Sequence, residues 1–154
     1  MLPTQKLAEE IAGDLMGIAS KIREGGDEVE MMFGFYHPAN GLGMVPAAVI
    51  PNHTETTVEL AERVRLAAQQ MGAVMVFHVC ESWASVAPEG GELPKVRPSE
   101  DPNRKEIIMV TASGQNVSVC MMRDINPDGT LGEVQTVQGA GGTMSNLSGQ
   151  EVYH

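Results

Sequence analysis

Residues 73–87 read AVMVFHVCESWASVA, a run of β-branched, aromatic and small side chains without proline or glycine. Strand alternation places Val74, Val76, His78, Cys80 and Ser82 on one face, and Met75, Phe77, Val79, Glu81 and Trp83 on the other. Both faces begin apolar, which predicts a central strand. The run turns polar at Glu81-Ser82-Trp83, so the strand is expected to leave the core there.

Two further strands follow, Glu106 to Ala112 and Val117 to Arg123, joined by Ser113-Gly114-Gln115-Asn116, a hairpin connection. Upstream, Met31 to Tyr36 and Met44 to Ile50 read as two strands joined by a loop containing Pro38, Gly41 and Gly43. Leu7, Ile11, Leu15, Ile18 and Ile22 recur at steps of three and four, the signature of an amphipathic helix, and Gly25-Gly26 stops it. A second helix is expected from about Thr56 to Met71. Thr56 and Glu59 form its capping box, Val58, Ala61, Val64, Ala68 and Met71 its apolar stripe, and Gly72 its stop.

The predicted fold is α+β in the order α-β-β-α-β-β-β: a mixed, mainly antiparallel sheet of about five strands packed against two helices. Residues 1–126 are expected to form a single domain. The turn Asn126-Pro127-Asp128-Gly129 leads into a Gly/Ser-rich segment, so residues 127–154 are expected to be a largely flexible tail.

A chain of 154 residues with 42% apolar and 19% charged side chains has the composition of a folded protein. Twenty acidic against ten basic residues leave a charge of −10, which argues against direct binding to phosphate backbones. The same acidity is compatible with an inhibitor that mimics nucleic acid. Cys80 and Cys120 lie in apolar runs, where a thiol behaves as a small hydrophobe. With no secretory pattern at the N-terminus, a reducing, cytoplasmic location is expected. No apolar run approaches the ~20 residues that span a bilayer, so no membrane association is expected.

Glu81 and Trp83 share a strand face, so a carboxylate and an indole could open into one pocket. Alternatively Trp83 caps the core while Glu81 meets solvent or an arginine. The segment from Pro94 to Glu106 adds Arg97, Glu100, Arg104 and Glu106 around the turn Asp101-Pro102-Asn103. Arg97 and Arg104 could fork a carboxylate or phosphate, or bind Glu81, Glu100 or Glu106 internally and pin the loop. The loop from Pro88 to Lys105 has neither helix nor strand period, and long loops of this kind are often functional.

The run Glu81-Ser82-Trp83, then Arg97-Pro98-Ser99-Glu100-Asp101-Pro102-Asn103-Arg104-Lys105-Glu106, then Ile107 to Val110, resembles a family of small bacterial and phage proteins. The resemblance covers the middle third of the chain and implies no activity. It implies that the loop and the strand end act as one unit.

His37, His53 and His78 could hold a metal if the fold gathers them, but no metal-ligand spacing supports this. His78, in an apolar strand, reads more simply as a hydrogen-bonded core residue. A Cys80–His78 pair on one strand face is possible, yet a thiolate needs an accessible, polarised setting. No phosphate loop, dinucleotide fingerprint or nucleophile elbow is present, and no cofactor is expected. Eleven methionines, including Met31-Met32 and Met121-Met122, suit either a core or an adaptable surface.

The leading expectation is a small binding or accessory protein of prokaryotic or phage origin. It would meet a protein partner through residues 88–105 and the adjacent strand end, with Trp83, Arg97, Glu100, Arg104 and Glu106 as contact residues. Self-association through an exposed strand or a Met-rich face is compatible with this. The rival is a hydrolase or metal-dependent enzyme using Glu81 and His78, with Arg97 or Arg104 holding an anion.

Overall fold

The structure, a computed structural model, describes residues 4–47, 57–84 and 102–137. The element order is α1 (Gln5–Glu24), β1 (Met32–His37), β2 (Gly41–Pro46), α2 (Thr57–Met71), β3 (Met75–Ala84), β4 (Lys105–Gly114), β5 (Val117–Ile125) and β6 (Leu131–Thr136). The strands form one six-stranded sheet in the order β2-β1-β3-β4-β5-β6, antiparallel throughout. The α+β expectation holds, with a sixth strand and, among the described residues, no parallel pair. None of the described helices is long and apolar enough to cross a membrane.

The two predicted strand faces are both buried from Met75 to Cys80, each under its own helix. Met75, Phe77 and Val79 pack with Ile108, Val110 and Val119 beneath α1. On the opposite face Val76 packs with Phe33 and Phe35 beneath Leu60, Ala61, Val64 and Ala68 of α2. The sheet is thus the middle layer of three, and β3 lies near its centre.

The helix faces match those read off the sequence in part: Leu15 is buried, Leu7 and Ile11 pack against the core, and Ala61, Val64 and Ala68 of α2 are buried. The side of α1 against the sheet is Ala8, Ala12, Leu15, Met16, Ala19 and Ser20, whereas Ile18 is 57% exposed and Ile22 is 38% exposed. Small side chains let the helix axis approach the sheet, so close packing selects alanine over the bulkier isoleucine. In α2, Val58 and Met71 of the predicted stripe are exposed and Leu60 takes the inner position. The predicted cap at Thr56 lies outside the described residues.

Polar stitches fix α1 along its length. Thr4 Oγ1 accepts from the Leu7 N–H at 3.1 Å and caps the helix. The Gln5 side-chain amide exchanges two hydrogen bonds with the backbone of Ser118, at 2.8 and 3.1 Å. Arg123 donates to Ser20 Oγ at 2.9 Å and to the Gly132 carbonyl at 2.6 Å, tying the helix to β5 and β6.

A sixth strand, Leu131–Thr136, forms within the segment expected to be a flexible tail. Asp128 accepts from the N–H and hydroxyl of Thr130, at 3.0 and 2.6 Å, and Gly129 adopts a φ of 87°. The turn therefore reverses the chain, and β6 pairs with β5. Glu133, Val134, Gln135 and Thr136 are all exposed, so the strand is held by backbone pairing and carries little hydrophobic signal. Residues 138–154 lie outside the described residues.

Two glycine substitutions separate close packing from helix propensity. A Cβ at Gly114 would sit 2.7 Å from the Val74 carbonyl oxygen and 3.1 Å from Met75 Cγ. Because a backbone oxygen in a sheet cannot step aside, Gly114→Ala should cost roughly 1–3 kcal/mol. A Cβ at Gly13 or Gly17, within α1, would meet nothing within 4 Å. Alanine there should add about 0.5–1 kcal/mol. Urea midpoints of the three variants, which should move in opposite directions, provide the check.

Candidate functional site at the strand end

β3 and β4 run side by side to the sheet's end, with Glu81 opposite Ile108 and Trp83 opposite Glu106; Glu106 in turn faces Ile125 of β5. Trp83, Glu106 and Ile125 thus form one cross-strand row on the face that carries α1. Trp83 is 42% exposed, and the Arg104 guanidinium carbon lies 4.4 Å from its ring centroid. This is cation–π geometry, and it gives an exposed indole a defined orientation.

Two clefts share Trp83 and Glu106. One, of about 370 Å³, runs past Arg104, Asp124 and Pro127; the other, of about 320 Å³, is lined by Glu81, Ser82, Trp83 and Glu106. Lys105 bridges to Asp124 at 3.2 Å on the wall of the first. The corner combines an indole, a guanidinium and carboxylates within reach of solvent, which suits recognition of a polar and aromatic surface.

Glu81 is engaged within the fold, one of the two arrangements expected for it. Its Oε1 accepts from the Val29 N–H at 2.9 Å and from Arg23 Nη1 at 3.4 Å, and Arg23 Nη2 lies 3.8 Å from Glu106. Arg23 therefore clamps the C-terminal end of α1 onto the ends of β3 and β4. The carboxylate has an internal arginine as anticipated, but that arginine comes from α1. Arg23 was absent from the sequence candidates, although it continues the row Ala12, Met16, Ala19, Ser20 on the helix's inner side.

Of the other candidates, Arg97, Glu100 and His53 lie outside the described residues. His37 Nδ1 accepts from the Ala39 N–H at 3.0 Å and shapes the β1–β2 turn. His78 faces Phe33 across the β1–β3 ladder, so His37 lies four residues further on, roughly 13 Å away by strand rise. Among the described residues, no three His, Cys, Asp or Glu side chains gather where they could hold a metal.

His78 is 2% exposed and stacks on Phe33 with ring centroids 5.0 Å apart. Neither ring nitrogen has a hydrogen-bond partner among the described residues, where a core hydrogen bond was expected. Burial pushes its pKa down to about 4, and the ring is neutral at pH 7. Burial likewise pushes the Cys80 thiol up to about 12 and raises that of Cys120, so neither offers a thiolate at neutral pH.

The fold and the corner define a class: a six-stranded antiparallel α+β sheet with one helix on each face and an indole–guanidinium corner at the end of its central strands. Comparison with protein-family models, curated proteins and solved structures gave no match, so the resemblance to small bacterial and phage proteins rests on its motif alone.

Proposed function

We propose that the chain is a small binding or accessory protein that engages a protein partner through the corner formed by Trp83, Arg104 and Glu106, together with residues 88–105. The observation that carries this is the 42% exposed Trp83 held beneath the Arg104 guanidinium at 4.4 Å. An exposed indole oriented by a guanidinium costs little conformational entropy when a partner covers it, and Trp and Arg are the residue types that dominate interface energetics. Glu81, the carboxylate considered as a catalytic base, is engaged by Arg23 and the Val29 N–H, and His78 is sealed under α2's side of the sheet. Both facts favour binding over hydrolysis.

Trp83→Ala and Arg104→Ala should each weaken partner capture by at least about 2 kcal/mol, roughly thirtyfold, with the fold intact by circular dichroism. Leu66→Ala, an exposed position on α2, serves as the control. Equal capture by all three variants would remove the corner from the interface. Metal analysis and a thermal-shift screen with metals and nucleotides complete the test. Stoichiometric zinc or a large ligand shift would favour the enzyme reading instead.

A further inference from the structure

The exposed Ile18 and Ile22 of α1 mark a second surface unaccounted for. The helix packs over β3, β4 and β5, and the same side of β1 and β2 extends beyond it. Between them runs a groove of about 300 Å³ whose walls include Ile18 and Ile22 of α1, Met32 of β1, Met44 of β2 and Val79 of β3. Ile18 and Ile22 belong to the apolar helix stripe, yet the chain's own sheet does not cover them. Glu28 and Glu30 also line the groove, both are exposed, and neither makes an ion pair or hydrogen bond among the described residues.

We propose that this groove seats an amphipathic, positively charged helix of another protein, with its apolar side chains between α1 and Met32 and Met44, and its lysines or arginines over Glu28 and Glu30. The width fits: two strands spaced ~4.8 Å apart leave a shelf of roughly 10 Å, which is the diameter of a helix. A helix lying there would sit beside α1 as a second helix on the same face. Flexible thioethers at Met32 and Met44 accommodate apolar anchors of varied shape, the mode by which grooves take helices with anchors at steps of three and four.

Charge selects the occupant. A second copy would bring its own Glu28 and Glu30 and a net charge of −10 against the same. The chain's own C-terminal residues 124–154 contain no lysine or arginine. A cationic helix satisfies both the apolar walls and the unpaired carboxylates. The proposal stands apart from the Trp83 corner, since the groove shares no lining residue with either cleft there.

The test uses the full chain and a synthetic leucine/lysine peptide of about 14 residues, about 21 Å long as a helix, with leucines at steps of three and four. Controls are a scrambled peptide of the same composition and a peptide with every lysine replaced by glutamate. Fluorescence anisotropy should show binding of the first peptide alone. Ile18→Ser and the double variant Glu28→Lys/Glu30→Lys should each weaken it at least about tenfold, while Trp83→Ala leaves it unchanged. Because Ile18 is exposed, its serine variant should retain the wild-type unfolding midpoint. Methyl resonances of Met32 and Met44 should shift on binding, and those of Met109 and Met122, on the other face, should not. Three results would overturn the proposal: equal binding of the scrambled peptide, unchanged methionine methyls, or a dimer of the protein alone that Ile18→Ser dissolves. The last would make a second copy the occupant.

Discussion

Glu81→Ala is expected to lose about 2–3 kcal/mol of stability in urea denaturation, more than any other single change at the strand end. The carboxylate accepts from the Val29 N–H at 2.9 Å and from Arg23 Nη1 at 3.4 Å. Val29 is buried, so its amide loses an acceptor that water cannot readily replace. Among the described residues, Arg23 is left with Glu106, at 3.8 Å. Glu81→Gln keeps an oxygen for Val29 while removing the charge, and should lose only about 1 kcal/mol. Pairing Arg23→Ala with Glu81→Ala in a double-mutant cycle should return a coupling of about 1 kcal/mol. A Glu81→Ala loss below about 0.5 kcal/mol would mean that the clamp carries no stability and that the carboxylate is available to a ligand. The same variant therefore arbitrates between a structural and a chemical role for the strand end.

How much of this was legible depends on how local each signal is. The two faces of β3 followed from alternation within one run, and the β4–β5 hairpin from Gly114-Gln115-Asn116, where Asn116 takes a φ of 56° that asparagine tolerates. The side of α1 that meets the sheet was legible from hydropathy only in part, through Leu7, Ile11 and Leu15. That measure favours Ile18 and Ile22 over Ala8, Ala12 and Ala19, whereas the sheet demands small residues at the point of closest approach. The sixth strand was hidden because its exposed residues carry no apolar alternation, and only its pairing with β5 defines it. The partner of Glu81 was the least accessible of all. Arg23 lies 58 positions away, and an arginine in a helix's last turn is explained locally by the helix dipole, which conceals its tertiary role.

His78 gives the protein a specific dependence on acid. The unfolded imidazole takes up a proton near its usual 6.5, but the native ring, desolvated by burial, resists protonation down to about 4. Between these values the unfolded state binds more protons than the native state, so lowering the pH pulls the equilibrium toward unfolding. Stability is fully present above about pH 6.5 and is lost as the pH falls toward 4, by about 3 kcal/mol in all. The described neighbours offer no relief: Phe33 stacks on the ring, Thr111 lies opposite in β4, and Cys80 on the same face is a neutral thiol. His78→Leu removes both the titration and the two nitrogens, which have no partner among the described residues. It should therefore lie within about 1 kcal/mol of the wild type at pH 7 and be the more stable protein at pH 4.5. Urea denaturation of both proteins from pH 7.5 to 4.5 measures the two slopes. If the leucine variant loses stability as steeply as the wild type, the acid sensitivity lies elsewhere, and His78 must find in solution a partner for its ring nitrogens that admits the charged form.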